Sequence, residues 1–267
     1  MSAASPHAPP IVLTTDYGHG SPYVGALKGA ILAINPAAVI VDLTHGIPPQ
    51  NIAVGAWTLA DHVEAFPPGA IHVVVVDPGV GSSRRAIFAE IGAWRFVAPD
   101  NGLLDRLARR WPILTIRELT EPRWWRESVS HTFHGRDIFA PVAAHLSLGV
   151  EPDRLGPPLA TLIELAWPEV IVVPGKIQGA VRSVDSFGNL ITDISAEALR
   201  DVPTDESVRI ECDEHETLGI YKTYSDQPEM TLMALIGSSG FLELSIVGDS
   251  AAIMLGVQPG TKVTVRW

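Results

Sequence analysis

Apolar residues fall into two rhythms along this chain. In the first part, short unbroken apolar runs alternate with stretches of helical spacing. Ile-Val-Leu-Thr-Thr at 11–15 predicts a buried strand that stops at Asp16-Tyr17-Gly18, and Val24, Leu27 and Ile31 place a helix over 23–34, ended by Asn35-Pro36. A second strand follows over 39–43, a second helix over 52–66 with Pro67-Pro68-Gly69 beyond it, and a third strand over 71–76. The four consecutive valines Val73 to Val76 are the signature of a strand covered on both faces, as inside a parallel sheet. Residues 88–91 and 94–98 form a hairpin pair around Gly92, Asn101-Gly102-Leu103 opens a helix, and the apolar run 138–148 is another. Strands alternating with helices of this length imply βαβ units.

Near residue 168 the rhythm shortens. Apolar runs at 179–184, 208–211 and 262–267 are broken by Gly, Pro, Asn and Asp, the pattern of antiparallel strands joined by tight turns. The expected architecture is an α/β N-terminal domain with a mainly parallel sheet, residues 1–168, and a smaller antiparallel β-barrel-like C-terminal domain, residues 169–267. The stretch 167–175, rich in Pro, is the expected linker, the acidic run Asp213-Glu214-His215-Glu216 a solvated loop, and Trp124-Trp125 loop packing or an interface.

Composition narrows the function classes. With 46% hydrophobic and 18% charged residues in 267, the chain can bury a sizeable core. The formal charge of −11 argues against a nucleic-acid partner and offers nothing to an anionic membrane. Cys212 is the only cysteine, so no intrachain disulfide forms. Residues 1–10 lack the basic start and apolar stretch of a signal peptide, and no apolar run reaches the ~18 residues of a membrane helix. The expectation is a cytoplasmic protein.

Five segments could carry chemistry. Asp77 ends the valine strand, Pro78-Gly79 turns the chain, and Arg84 follows close enough to return to the same carboxylate; a plain turn with a solvated arginine is the competing reading. Asp16, at another strand end, could accept both hydroxyls of a ribose, or merely cap the following helix. The glycines there do not complete a dinucleotide motif, and no phosphate-cradling GxxxxGK[ST] occurs. His134, in Thr132-Phe133-His134-Gly135-Arg136-Asp137, could hydrogen-bond a carboxylate or take up a proton; alternatively Arg136 and Asp137 pair and cap the helix, or His131, His134 and Asp137 hold a metal. In Asp185-Ser186-Phe187-Gly188-Asn189, Asn189 offers the donor–acceptor pair an adenine edge needs and Phe187 a stacking face, although a turn would use the same residues. Finally, Ser238 and Ser239 between Gly237 and Gly240 could hold a carboxylate.

Taken together, in order and over nearly the whole chain, these segments resemble the S-adenosyl-L-methionine hydrolases that form adenosine, the hydroxide adenosyltransferase group related to fluorinating and chlorinating enzymes. Further matches are Lys28-Gly29, Pro99-Asp100-Asn101-Gly102-Leu103 and Phe241-Leu242. The resemblance implies hydrolysis of S-adenosyl-L-methionine to adenosine and L-methionine, without cofactor or metal. Asp77, Arg84 and His134 would handle the attacking water, and Asp16 would bind the ribose diol. Phe187 and Asn189 would serve the adenine, and Asp185 with Ser238 and Ser239 the methionine part. It also implies a homotrimer whose sites lie between one subunit's N-terminal domain and a neighbour's C-terminal domain. Asp77, Val80, Gly135 and an intact His134 follow the hydrolase pattern rather than that of the halide transferases, which are the alternative activity; a non-catalytic protein binding S-adenosylmethionine or adenosine is another. Two positions depart from the family: Ser21, where an acidic residue is usual, and Val247, where an Asn is expected.

Overall fold

The computed structural model describes residues 8–267, which divide into an N-terminal unit up to Leu165 and a C-terminal unit from Ala166. The N-terminal sheet contains β1 (Ile11–Thr15), β2 (Ile40–Thr44), β3 (Ile71–Val75), β4 (Ala86–Ile91), β5 (Trp94–Pro99) and β6 (Ile113–Glu118), in the order β2-β1-β3-β5-β4-β6. Strands β2, β1, β3 and β5 run parallel, while β4 pairs antiparallel with both β5 and β6. Alternate residues of the central strands feed two separate cores. Ile11, Leu13, Ile71, Val73 and Val75 join Leu27, Ile31 and Phe139 on one face. Val12, Val74 and Val76 join Leu59, Ile87, Phe96 and Leu107 on the other. Both faces being covered is what the unbroken valine run requires.

The expected helices are present with small differences. Helix α1 (Pro22–Ile34) starts at Ser21, whose hydroxyl accepts from the amide of Tyr23. Helix α2 (Ile52–His62) is capped by Asn51, and its last expected turn is a 3-10 turn, Val63–Ala65. Helix α3 (Asp105–Arg110) follows the Asn101-Gly102 turn. The last helix begins earlier than the apolar run suggests: a π-helical turn at Gly135–Phe139 leads into α4 (Ala140–Ser147). Pro141, in the first turn of α4, has no amide to donate, and the Asp137 carbonyl four residues before it accepts from the Arg126 amide instead.

The C-terminal unit is antiparallel and barrel-like. It contains β7 (Ile171–Val173), β8 (Lys176–Val184), β9 (Leu190–Ser195), β10 (Arg209–Cys212), β11 (His215–Leu218), β12 (Leu232–Ile236), β13 (Phe241–Ile246), the short helix α5 (Ala251–Leu255) and β14 (Lys262–Arg266). The order is β11-β10-β14-β8-β9-β13-β12, with β7 added to β8. The two ends approach each other: the Thr217 hydroxyl donates to the Leu232 carbonyl at 2.8 Å, and Tyr221 bridges to Leu235. Two expectations are corrected here. The acidic run 213–216 is the turn and first residues of the β10–β11 hairpin, reversed by Asp213 at φ 54°, not a loop. The expected linker contains β7, whose three residues pair with Gln178, Ile177 and Lys176. No helix among the described residues is long and apolar enough to cross a membrane.

Candidate active site

Asp16 and Asp77 follow the carboxyl ends of the adjacent parallel strands β1 and β3, where open α/β sheets bind ligands. Between them and the segment before α4 lies a cavity of about 220 Å³, lined by Asp16, Tyr17, Gln50, Asp77, His134 and Gly135 among others. All of these belong to the N-terminal unit.

Asp77 and Arg84 form a buried pair, with side chains 4% and 10% exposed, so the solvated-arginine reading does not hold. Arg84 Nε donates to Asp77 Oδ1 at 2.9 Å and to Oδ2 at 3.1 Å, and its Nη2 reaches Oδ2 as well. The same Nη2 lies 2.9 Å from His134 Nδ1. A guanidinium can only donate, so Nδ1 accepts and the imidazole carries its proton on Nε2. Burial, then the neighbouring Arg84 charge, pushes the His134 pKa below the ordinary histidine value, which also favours this neutral form. The turn that returns Arg84 to Asp77 is held by Ser82, whose hydroxyl donates to the Gly79 carbonyl and accepts from the Arg84 amide. Gly81 adopts φ 79°, and a Cβ there would lie 2.3 Å from the His131 carbonyl, so this loop can lie against the 131 segment only as glycine.

Asp16 does not cap α1; Ser21 does. Its Oδ2 instead accepts from the Gln50 amide at 2.8 Å, and Gln50 is held at φ 63° to present that amide. Behind Asp16 runs a polar line that sequence reasoning missed. His45 Nδ1 lies 2.8 Å from the Thr15 hydroxyl, its Nε2 lies 3.1 Å from Asp42, and Asp42 takes Lys28 at 2.6 Å. The His45 carbonyl also accepts from the Gly18 amide, so this line fixes the whole 15–18 segment. Gln50 and Tyr17 carried little sequence signal: the first sits in a plain Pro-Pro-Gln loop, and the second reads as a motif spacer.

The metal reading of the 131–137 segment fails on the chemistry of Asp137. Its carboxylate receives Arg136 at 2.6 and 2.8 Å, Arg126 at 3.1 Å and the Ser130 amide at 2.9 Å. Burial alone would raise its pKa, but these donors outweigh burial and hold it below the usual carboxylate range. A carboxylate saturated by two guanidiniums braces the segment instead of binding a cation. Among the described residues, no group of three His, Cys, Asp or Glu is placed to hold a metal.

In the C-terminal unit, Asp185 is turned inward on its own loop. Its Oδ1 accepts from the amides of Phe187 and Asn189, both at 2.9 Å, and its Oδ2 from the Asn189 side chain, also at 2.9 Å. Asn189 is buried, whereas the Phe187 ring is 79% exposed. Ser239 accepts from Arg182 at 3.4 Å, and Ser238 is exposed. Close by in sequence, buried Glu243 accepts from the hydroxyls of Tyr224 and Ser245.

Comparison with known proteins decides the family. A family model described as the SAM hydroxide adenosyltransferase N-terminal domain matches residues 11–156, and its C-terminal counterpart matches 179–264. The chain belongs to the SAM hydroxide adenosyltransferase family. A relative from Salinispora arenicola named (R)-S-adenosyl-L-methionine hydrolase is 38% identical over 96% of this chain and 97% of its own. A crystal structure of a conserved protein from Thermotoga maritima superimposes with a TM-score of 0.91 at 36% identity, covering 96% of this chain and all of that one. A fluorinase from Nocardia brasiliensis is more distant, 26% identical over the full length of this chain. Against the adenosyltransferase pattern, Ser21 serves as the α1 cap. Val247 has its backbone committed, the amide donating to Thr231 and the carbonyl accepting from Met230.

Proposed function

We propose that this chain hydrolyses S-adenosyl-L-methionine to adenosine and L-methionine, and that it does so as a cytoplasmic homotrimer. The observation that carries the reading is the line Asp77–Arg84–His134, whose two ends line the N-terminal cavity, in a chain 38% identical to a named hydrolase of this substrate. The sulfonium leaves as neutral methionine, so the leaving group needs no acid. The difficulty is the nucleophile: water is poor and must reach C5′ in line. Holding it there supplies orientation, which can lower a barrier by several kcal/mol.

Asp77 accepts one hydrogen of the water. Arg84 occupies the rest of the carboxylate and fixes its plane, and His134 fixes Arg84 from the other side. As a neutral acceptor to Arg84, His134 orients; the proton lost after attack goes to solvent. Asp16, pre-set by the Gln50 amide, takes the ribose hydroxyls. Phe187 and Asn189 serve the adenine, and Asp185, Ser238 and Ser239 the methionine part, contributed by a neighbouring subunit.

Incubation with the substrate followed by chromatography tests this. Adenosine and methionine in equal amounts are expected, unchanged by chelators. The relative's name specifies the (R) configuration, so both sulfur epimers are assayed, and turnover of the (R) form is expected. A 5′-halo-adenosine in halide buffer, or tight binding with no turnover, would replace the proposal.

A further inference from the structure

The Asp77–Arg84–His134 line, and Asp16 with Gln50, leave two polar side chains of the cavity wall unexplained, Tyr17 and Thr132, and the Thr132 hydroxyl already pairs with Ser130 at 3.2 Å, which leaves Tyr17. Its ring is locked by edge-to-face contacts with Tyr23 at 5.9 Å and Phe133 at 5.7 Å, and those two rings contact each other at 5.2 Å. A tyrosine oxygen lies on the axis about which its ring flips, so flips leave it in place, and the flanking rings oppose the sideways movement that would displace it. That oxygen sits over Gly135, the residue after His134: a Cβ on Gly135 would lie 2.3 Å from it. Gly135 therefore makes room for the phenol. Yet the hydroxyl has no hydrogen-bond partner among the described residues; only the Tyr17 amide is bonded, to the Thr15 hydroxyl. A phenol oxygen fixed at a polar cavity, in a pocket cut to admit it, needs a partner that enters with the reaction.

We propose that the Tyr17 hydroxyl is a further catalytic group that holds the attacking water together with Asp77. This rests on the hydrolase reading. Asp77 accepts one hydrogen of the water and the Tyr17 oxygen the other, which leaves an oxygen lone pair aimed at C5′. That pair forms the C5′–O bond, the C5′–S bond breaks with its electrons going to sulfur, and one proton passes to solvent. Burial first, then the charges of Asp16 and Asp77, push the phenol far above its ordinary pKa, so it stays protonated and never acts as a base. A single anchor lets the water pivot about Asp77; two anchors do not. The pairing of Tyr17 with Gly135 thus sets the nucleophile's orientation.

The test compares wild type, Tyr17→Phe, Gly135→Ala and the double variant by kcat and KM for adenosine formation. Tyr17→Phe keeps the ring and its packing but removes the oxygen, and it is expected to lower kcat by about ten-fold with KM unchanged, the pattern of an interaction made at the barrier. Gly135→Ala pushes the phenol aside and lowers kcat at least as much. Adding Tyr17→Phe to Gly135→Ala removes the clashing atom, so the double variant should match Tyr17→Phe alone. A Tyr17→Phe enzyme with wild-type kcat, or one altered only in KM, overturns the role, as does a double variant that loses the product of the two single losses. A wild-type enzyme that forms no adenosine overturns the hydrolase reading, and this role with it.

Discussion

The two units hold their candidate site residues in opposite ways. In the N-terminal unit the chemistry-bearing groups come from distant segments, and their bonds to one another leave faces open to a cavity: Asp77 and His134 are joined only through Arg84. In the C-terminal unit the Asp185–Asn189 loop satisfies itself within five residues, and it presents a bare aromatic ring. On the proposed reading, the first arrangement is in place to orient a small reactant when it arrives. The second is a loop shaped by its own hydrogen bonds that offers an exposed ring as surface. We take the difference as a division of labour between a water-handling site and a substrate-holding one.

The largest effect should come from breaking the first arrangement. Alanine at Asp77, Arg84 or His134 is expected to reduce kcat by roughly 10²–10⁴ while KM changes little, as measured by steady-state adenosine release. A purely KM effect would move these residues to the holding side.

His72 belongs to the N-terminal unit but to neither arrangement. It lies on β3 among apolar residues, fully buried, stacked on Phe96 and edge-on to Phe66, with neither ring nitrogen hydrogen-bonded. Burial pushes its pKa down to about 4. The folded chain therefore stays neutral at His72 while the unfolded chain takes up a proton below about pH 6.5. Stability should fall as pH drops from there towards 4 and level off beneath it, by about 3 kcal/mol in all. Denaturant melts across this range should show that loss in wild type, and much less of it in His72→Leu. Equal pH slopes for the two proteins would remove His72 from the account.

Asp16→Ala should leave kcat near wild type and raise KM by about ten-fold or more, because ribose contacts are similar in the ground and transition states. The smallest change is expected on the C-terminal platform. Phe187→Ala removes an exposed ring and no buried contact, so it should raise KM by only a few-fold, as loss of about 1 kcal/mol of stacking would, with no loss of thermal stability. A large drop in melting temperature would show that the ring is structural.

Much of this was readable beforehand, and the reasons are local. The valine run marked β3 because a strand covered on both faces has no other economical composition, and Asp77 at its end followed from sheet geometry. Arg84 could be paired with Asp77 because one short loop joins them. His134 reached the pair only through the resemblance, since it lies 50 residues further on from Arg84. Tyr17 and Gln50 were invisible for a similar reason: their roles depend on what Gly135 and Asp16 bring against them in space. The β10–β11 hairpin was lost because its turn is acidic, and β7 because three residues flanked by prolines carry too little periodicity to read.

The central claim is that Asp77, Arg84 and His134 act as one unit on one water. The most direct measurement is kcat for Asp77→Ala, His134→Ala and the double variant under the same conditions. If the three share the water, removing the second residue takes away little that the first has not already removed, and the double variant should fall only slightly below the worse single one. A double variant whose loss equals the product of the two single losses would mean that the residues act independently, and the shared-water account would be wrong.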